Sequence, residues 1–247
     1  MRPLATFSGL VVLGACAAAR APHAAALAPT PHDVPHDPAG HHHGPGHAGE
    51  HGPGHFADPE RFVAAWNSPE RDAWQKPDEI VAALGVSPGA TVVDLGAGTG
   101  YLLPPLSRAV GPSGEVIALE VEAAMIGFID EAAKREGWTN VHTHAGAYDD
   151  PKLPPQSVDA VVTLNVWHHV SERPAYASRV LATLKPGGAF VIVDFLKERT
   201  EGFGPPMDMR LTADDVAADL RAGGFEVDLV EETLPRHYIV RGRRPAR

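Results

Sequence analysis

A single cysteine, Cys16, occurs in the 247 residues, so no intramolecular disulfide can form. Basic residues are also in short supply. The 21 lysines and arginines stand against 31 acids, a formal net charge of -10, and a phosphate backbone meets no field that would gather it. A nucleic-acid partner is therefore not expected. The basic tail from Arg241 to Arg247 is the local exception and reads as a solvated end that keeps the last strand soluble. The apolar run from Leu4 to Ala15 is too short to span a bilayer as a mature helix. Between Arg20 and His55 large apolar residues are nearly absent, and this stretch cannot bury enough surface to offset the entropy of ordering. No internal repeat is present. With 44% apolar residues the rest can build an ordinary core, and one folded domain behind an unstructured arm accounts for the length.

Met1-Arg2 ahead of the short apolar run is the charged start of a signal peptide. Leu13-Gly14-Ala15-Cys16 resembles the lipobox of bacterial lipoproteins. That resemblance implies cleavage before Cys16, lipid on the new terminal cysteine, and a chain anchored to a membrane in the periplasm or cell envelope, since several acyl chains hold stably where one does not. Two alternatives stay open: ordinary secretory cleavage in the alanine-rich stretch that follows, and a mis-assigned start codon that leaves a cytoplasmic protein. The expected division is a leader region over 1–19, a flexible His/Pro/Gly-rich linker over 20–55, and a folded domain over 56–247 that begins with a helical cap over 56–76. The linker's histidines, His41, His42, His43 and His47 among them, can bind a divalent metal loosely. Nothing fixes their geometry, and a merely solvated linker explains them as well.

The most specific stretch is Val92-Val93-Asp94-Leu95-Gly96-Ala97-Gly98-Thr99-Gly100-Tyr101, an apolar strand running into an acid and closely spaced glycines. Glycines there let the backbone pass close to a ligand. A dinucleotide fingerprint needs G-x-G-x-x-G, and here the third glycine comes one residue early, which excludes a good nicotinamide or flavin site. Gly44-Pro45-Gly46-His47-Ala48-Gly49 does satisfy that fingerprint, but no strand precedes it and no helix follows. It is a coincidence of composition.

Strand and helix signals alternate after this loop, which predicts crossovers onto a parallel sheet. Strands are expected over 116–119, 141–144, 158–164 and 189–193, with 225–230 and 236–240 forming a final antiparallel pair. Helices are expected over 77–84, 101–109 with a late start or kink at Pro104 and Pro105, 123–136, 173–184, and from the cap Thr212 to 222. Lys185-Pro186-Gly187-Gly188 is read as the stop of one of these helices.

Asp94-Leu95-Gly96-Ala97-Gly98-Thr99-Gly100 resembles motif I of class I S-adenosylmethionine-dependent methyltransferases. Leu184-Lys185-Pro186-Gly187-Gly188 with the strand after it, and Leu153-Pro154-Pro155-Gln156-Ser157-Val158-Asp159, are similar to segments of the ubiquinone-biosynthesis-like, or type 11, subgroup. The resemblance covers about residues 75 to 240. It implies a Rossmann-like α/β fold: a mostly parallel seven-stranded sheet with helices on both faces and an antiparallel final strand.

The same resemblance implies S-adenosyl-L-methionine as cofactor and assigns the residues that would hold it. Gly96, Ala97, Gly98 and Gly100 line the methionine part, Asp94 orients the loop and the cofactor ammonium, and Tyr101 packs alongside. Glu120, at the end of the second strand, is placed to take both ribose hydroxyls, with Val121 beside it. For adenine the family often has Gly-Asp, whereas this chain has Gly146-Ala147-Tyr148-Asp149, so Ala147 and Asp149 are the candidates. Asn165 lies at the exit of the fourth strand.

Methyl transfer needs the nucleophile, methyl carbon and sulfur held in line and water excluded. His168 or His169, at the rim where the acceptor approaches, can serve as general base, and paired histidines there also have a structural reading. Val166-Trp167 stands where amino-group and adenine methyltransferases have prolines, which disfavours amide and nucleobase acceptors and points to another small molecule. The loop from Gly202 to Arg210 is expected to act as a lid. An exported domain has no obvious supply of a cytoplasmic cofactor. A non-catalytic, surface-anchored nucleoside- or metal-binding protein on the same fold is therefore the alternative.

Overall fold

A computed structural model describes residues 56–198 and 204–246. Cys16, His41, His42, His43 and His47 lie outside the described residues. The elements in chain order are α1 (Glu60–Trp66), a 3-10 turn (Pro69–Arg71), α2 (Asp72–Gln75), α3 (Pro77–Leu84), β1 (Thr91–Leu95), α4 (Leu103–Val110), β2 (Glu115–Glu120), α5 (Ala123–Glu136) and β3 (Val141–Ala145). They continue with β4 (Val158–Leu164), α6 (Arg173–Thr183), β5 (Leu184–Phe195), α7 (Ala213–Ala222), β6 (Glu226–Leu229) and β7 (His237–Arg243). The described strands form one seven-stranded sheet in the order β3-β2-β1-β4-β5-β7-β6. β7 runs antiparallel to both β5 and β6, and the other pairings are parallel.

Side chains alternate across each central strand, so a strand covered on both faces is apolar along most of its length. Val92, Ala160, Val162, Val191 and Val193 face a layer that includes Ile80 and Leu84 of α3, Leu103 and Leu106 of α4, and Ile129 of α5. Val93, Val161, Phe190 and Ile192 face the opposite layer, with Tyr176 and Val180 of α6 and Val216 and Leu220 of α7. This is the doubly covered Rossmann-like architecture of class I methyltransferases. No helix among the described residues is long and apolar enough to cross a membrane.

The expected elements are present, with adjusted ends. α4 begins at Leu103, after the glycine loop, because Pro104 fits only the first turn of a helix. α7 starts at Thr212 with a reciprocal cap: the Asp215 N–H donates to Thr212 Oγ1 (3.1 Å), and the Thr212 N–H donates to Asp215 Oδ2 (2.9 Å).

One expectation is corrected. Leu184 to Gly188 extends β5 instead of ending α6, which stops at Thr183. The pairing with β4 jumps from Val158–Leu184 to Ala160–Ala189, so Pro and Gly occupy an irregularity inside a strand. On the other side the Gly187 N–H donates to Arg244 O (3.0 Å) and the Arg244 N–H to Gly188 O (2.8 Å), which supplies the pairing.

Candidate active site

The carboxyl ends of β1, β2, β4 and β5 open on one edge of the sheet, where the order reverses on either side of β1 and β4. The loop after β1 carries Gly96 at φ 75° and Gly98 at φ 56°, conformations that side chains rarely tolerate. A Cβ at Gly96 would stand 2.6 Å from Val166 Cγ2, and one at Gly98 would stand 3.2 Å from the Trp66 ring. Space as well as backbone conformation therefore requires glycine.

Two acids flank this loop. Asp94 is buried, and its carboxyl is pushed up to about 7, chiefly by burial and further by the charge of Glu120, with Arg71 opposing. Glu120 is raised by burial and drawn back by main-chain donors: the Gly98 N–H reaches Oε1 at 2.6 Å, and the Val121 N–H reaches Oε2 at 3.0 Å. Each carboxylate oxygen keeps a further lone pair for a hydroxyl. The end of β2 and the glycine loop are thus joined directly.

Asn165, after β4, sits at φ 60° and donates its N–H to Val193 O (2.9 Å). Its Oδ1 is buried without a hydrogen-bond partner among the described residues. A buried acceptor left unmet is costly, so this oxygen is suited to a ligand donor. Beyond β3, the turn at Ala147 closes on Asp150 by main-chain bonds of 2.8 and 3.2 Å. Tyr148 donates to Glu122 (2.8 Å), whereas Asp149 is exposed and pairs with Arg179 at 3.6 Å.

The segment before β1 forms a roof over the loop. Asn67 Nδ2 donates to Thr99 O (2.9 Å), Thr99 Oγ1 donates to Asn67 Oδ1 (2.6 Å), and the Tyr101 hydroxyl donates to Asp72 (2.7 Å). The Arg71 guanidinium lies 4.0 Å over the Tyr101 ring and donates to Trp66 O at 2.6 Å. Burial lowers it to about 10, against the pull of Tyr101, Asp94 and Asp72. Short helices, α1, the 3-10 turn and α2, make up this segment. That Arg71 reaches Asp94 electrostatically was not foreseen, because nothing local in the sequence announces it.

His168 and Asp194 form a buried pair after β4 and at the end of β5, each side chain 3% exposed. His168 Nδ1 is 2.9 Å from both carboxylate oxygens, and Asp194 also accepts main-chain N–H groups from His168 (3.3 Å) and Phe195 (2.8 Å). With Nδ1 as donor to the carboxylate, Nε2 carries the ring's lone pair. His169 is exposed, its ring 4.1 Å from that of His168. Among the expected bases, His168 has the orienting acid; Asp194 directly follows the strand expected over 189–193, and nothing local in the sequence pairs it with His168. No trio of His, Cys, Asp or Glu suited to a metal ion stands among the described residues.

Residues 92–188 match a family described as a methyltransferase domain. The chain is 29% identical over 114 residues to the ubiquinone/menaquinone biosynthesis C-methyltransferase UbiE of Vibrio campbellii, covering 46% of this chain and 44% of that protein. It is 28% identical over 158 residues to an arsenite methyltransferase of Halobacterium salinarum, 59% of this chain and 39% of that one. The chain thus spans less than half the length of these curated relatives. The crystal structure of a SAM-dependent methyltransferase from Aquifex aeolicus superposes with a TM-score of 0.70 at 27% identity, covering 76% of this chain and 98% of that one.

Proposed function

We propose that this chain, whose folded part is a class I S-adenosylmethionine-dependent methyltransferase domain, moves a methyl group from that cofactor to a small-molecule acceptor by in-line displacement. The observation that carries the reading is the pair of buried acids around the glycine loop, with Glu120 fastened to the Gly98 N–H. Asp94, pushed up by burial and a like charge, gains from a nearby cation, and the orphan Asn165 Oδ1 accepts an ammonium N–H. Glu120 retains acceptor capacity for two sugar hydroxyls. These residues fit S-adenosylmethionine, whose sulfonium supplies the electrophilic methyl group.

The remaining tasks fall to the protein. The roof from Trp66 to Asp72 keeps water from the loop, and His168 removes a proton from the acceptor while Asp194 holds the ring and offsets the charge it gains. Of the acceptor chemistries in its relatives' names, arsenite is the poorer fit: trivalent arsenic takes thiolates, and the folded domain has no cysteine.

Calorimetric titration of the full chain with S-adenosylhomocysteine tests this reading. Binding that is lost in Glu120→Ala supports it, and the absence of binding by the unaltered chain overturns it. At the front of the chain, the Leu13–Cys16 pattern supports a lipid anchor to the cell envelope. Incorporation of labelled palmitate that disappears in Cys16→Ser is the expected result; a chain that takes up no label is not anchored this way.

A further inference from the structure

The basic end of the chain, expected to be a solvated tail, is largely tied into the fold. Arg241 Nη1 donates to Ala83 O (3.3 Å), and its Nη2 donates to Asp228 Oδ2 (3.3 Å). Arg244 Nη1 donates to Leu181 O (3.0 Å), Ala182 O (3.2 Å) and Leu184 O (2.5 Å), carbonyls where α6 passes into β5. Arg243, between them, differs. Its half-buried side chain has no hydrogen bond or ion pair among the described residues, and even Glu226, its register partner on β6, does not pair with it.

Arg243 lines a cavity of about 430 Å³ at the amino ends of β1, β4 and β5, the edge of the sheet opposite the crevice. The turn from α3 into β1 and the irregular start of β5 supply most of its walls, with Gly85, Ser87, Asp159, Lys185 and Gly187 among the lining residues. Gly85 at φ 66° and Gly187 at φ 77° present no side chain to this space. A Cβ at Gly187 would meet nothing within 4 Å, and one at Gly85 would stand 3.8 Å from Arg243 Nη2.

Asp159 is the single acid in the lining, and it is spoken for. Its Oδ2 accepts from Lys185 Nζ (2.8 Å) and from the Thr91 N–H (2.9 Å). An ammonium has three N–H donors, so Lys185 keeps two that have no acceptor among the described residues. With Asp159 and Lys185 cancelling, the charge of Arg243 stands over, and its planar fork matches an oxyanion. The Ser87 hydroxyl adds a donor from the α3–β1 turn. A guanidinium, an ammonium and a hydroxyl around one space suit a phosphate, with its three terminal oxygens, better than a carboxylate with two.

We propose that this cavity is a second binding site, which takes the phosphate group of a small phosphomonoester on Arg243, Lys185 and Ser87. The space exceeds that of a bare phosphate and leaves room for the body that carries it. Nothing in this site depends on the methyltransferase reading, since the glycine loop and His168 lie at the other edge of the sheet.

The test titrates the full-length chain with glycerol 3-phosphate and with glycerol, the same body without the charge, and follows the main-chain N–H signals of Gly85 and Gly187. Saturable shifts of both signals with a Kd on the order of 1 mM are expected for the phosphate, and none for glycerol. Arg243→Gln weakens binding about tenfold or more, whereas Arg221→Gln, which removes one positive charge from the exposed surface of α7, changes it by less than about twofold. Asp159→Asn takes the acid out of the wall, keeps an acceptor for the Thr91 N–H, and tightens binding about threefold or more. A thermal transition close to that of the parent certifies the fold of each variant. No saturation by the phosphate, an equal loss in Arg243→Gln and Arg221→Gln, or binding that is not tightened in Asp159→Asn overturns the inference. So does Arg243-dependent binding to phosphatidylglycerol vesicles by a chain that ignores the free phosphate, which gives the site to a lipid headgroup instead.

Discussion

The main-chain N–H of Gly98 donates to Glu120 Oε1 over 2.6 Å, so the glycine loop and the end of β2 move as one unit. Glu120→Gln preserves size but removes the charge that attracts this N–H and a sugar hydroxyl. A fall of about 10- to 100-fold in S-adenosylhomocysteine affinity, measured by calorimetry, is expected. An unchanged affinity would show that the ribose is held elsewhere.

Asp94 gives a pH dependence with a definite sign. Its carboxyl is raised from 3.8 to about 7, so its contribution to apo-protein stability is present below its unfolded value and is lost as pH rises through about 7. Asp94→Asn is therefore expected to melt above the parent protein at pH 8 and to converge with it near pH 4. Cofactor binding favours the ionised acid, so affinity of the parent rises with pH up to about 7 and that of the variant stays flat. Parallel melting curves across this range would refute the assignment.

Gly96 and Val166 make a steric pair that can be taken apart. Gly96→Ala places a methyl group 2.6 Å from Val166 Cγ2 at a φ of 75°, and loss of several degrees in Tm is expected. Adding Val166→Ala removes the clash but leaves the backbone strain, so recovery is partial. Full recovery would mean that the conformation costs nothing.

Asp194→Asn tests the His168 pairing. An amide presents an N–H donor as well as an acceptor to Nδ1, which favours the wrong imidazole tautomer, and kcat is expected to fall by roughly 10²- to 10⁴-fold for whichever acceptor is methylated. The nitrogen-15 spectrum of His168 reports the tautomer independently of turnover. A spectrum identical to that of the parent chain would leave Asp194 without this role.

The roof is held by reciprocal bonds between Asn67 and Thr99. Asn67→Ala removes both, at about 1 kcal/mol each, and limited proteolysis between residues 56 and 76 should accelerate before the rest of the domain opens. Unaltered cleavage would mean that the stacking of Phe62 on Trp66, with ring centroids 4.5 Å apart, suffices.

Much of the sheet was legible because central strands buried on both faces are near-continuous apolar runs, as Val158–Leu164 is apart from Asp159 and Thr163. The glycine loop after β1 was legible because its positive-φ conformations and close neighbours allow so few residues besides glycine. The start of β5 was not: Pro186 and Gly187 signal a turn locally, and only the partner strands on either side draw them into the sheet. The cavity beside Arg243 was invisible for a different reason. Ser87 precedes the sheet and Arg243 ends its last strand in sequence, and no periodicity links residues that meet only after the chain has closed on itself.

The roof lies outside the stretch of residues 92–188 that matches the family. A truncated protein reduced to that stretch would keep every glycine of the bend and expose it to solvent. Hydration would relax Asp94 toward an ordinary aspartate, and the bend would lose much of its electrostatic appetite for a positively charged guest. The surroundings that Asp94 meets in the folded domain thus include Arg71, which lies ahead of the matched stretch.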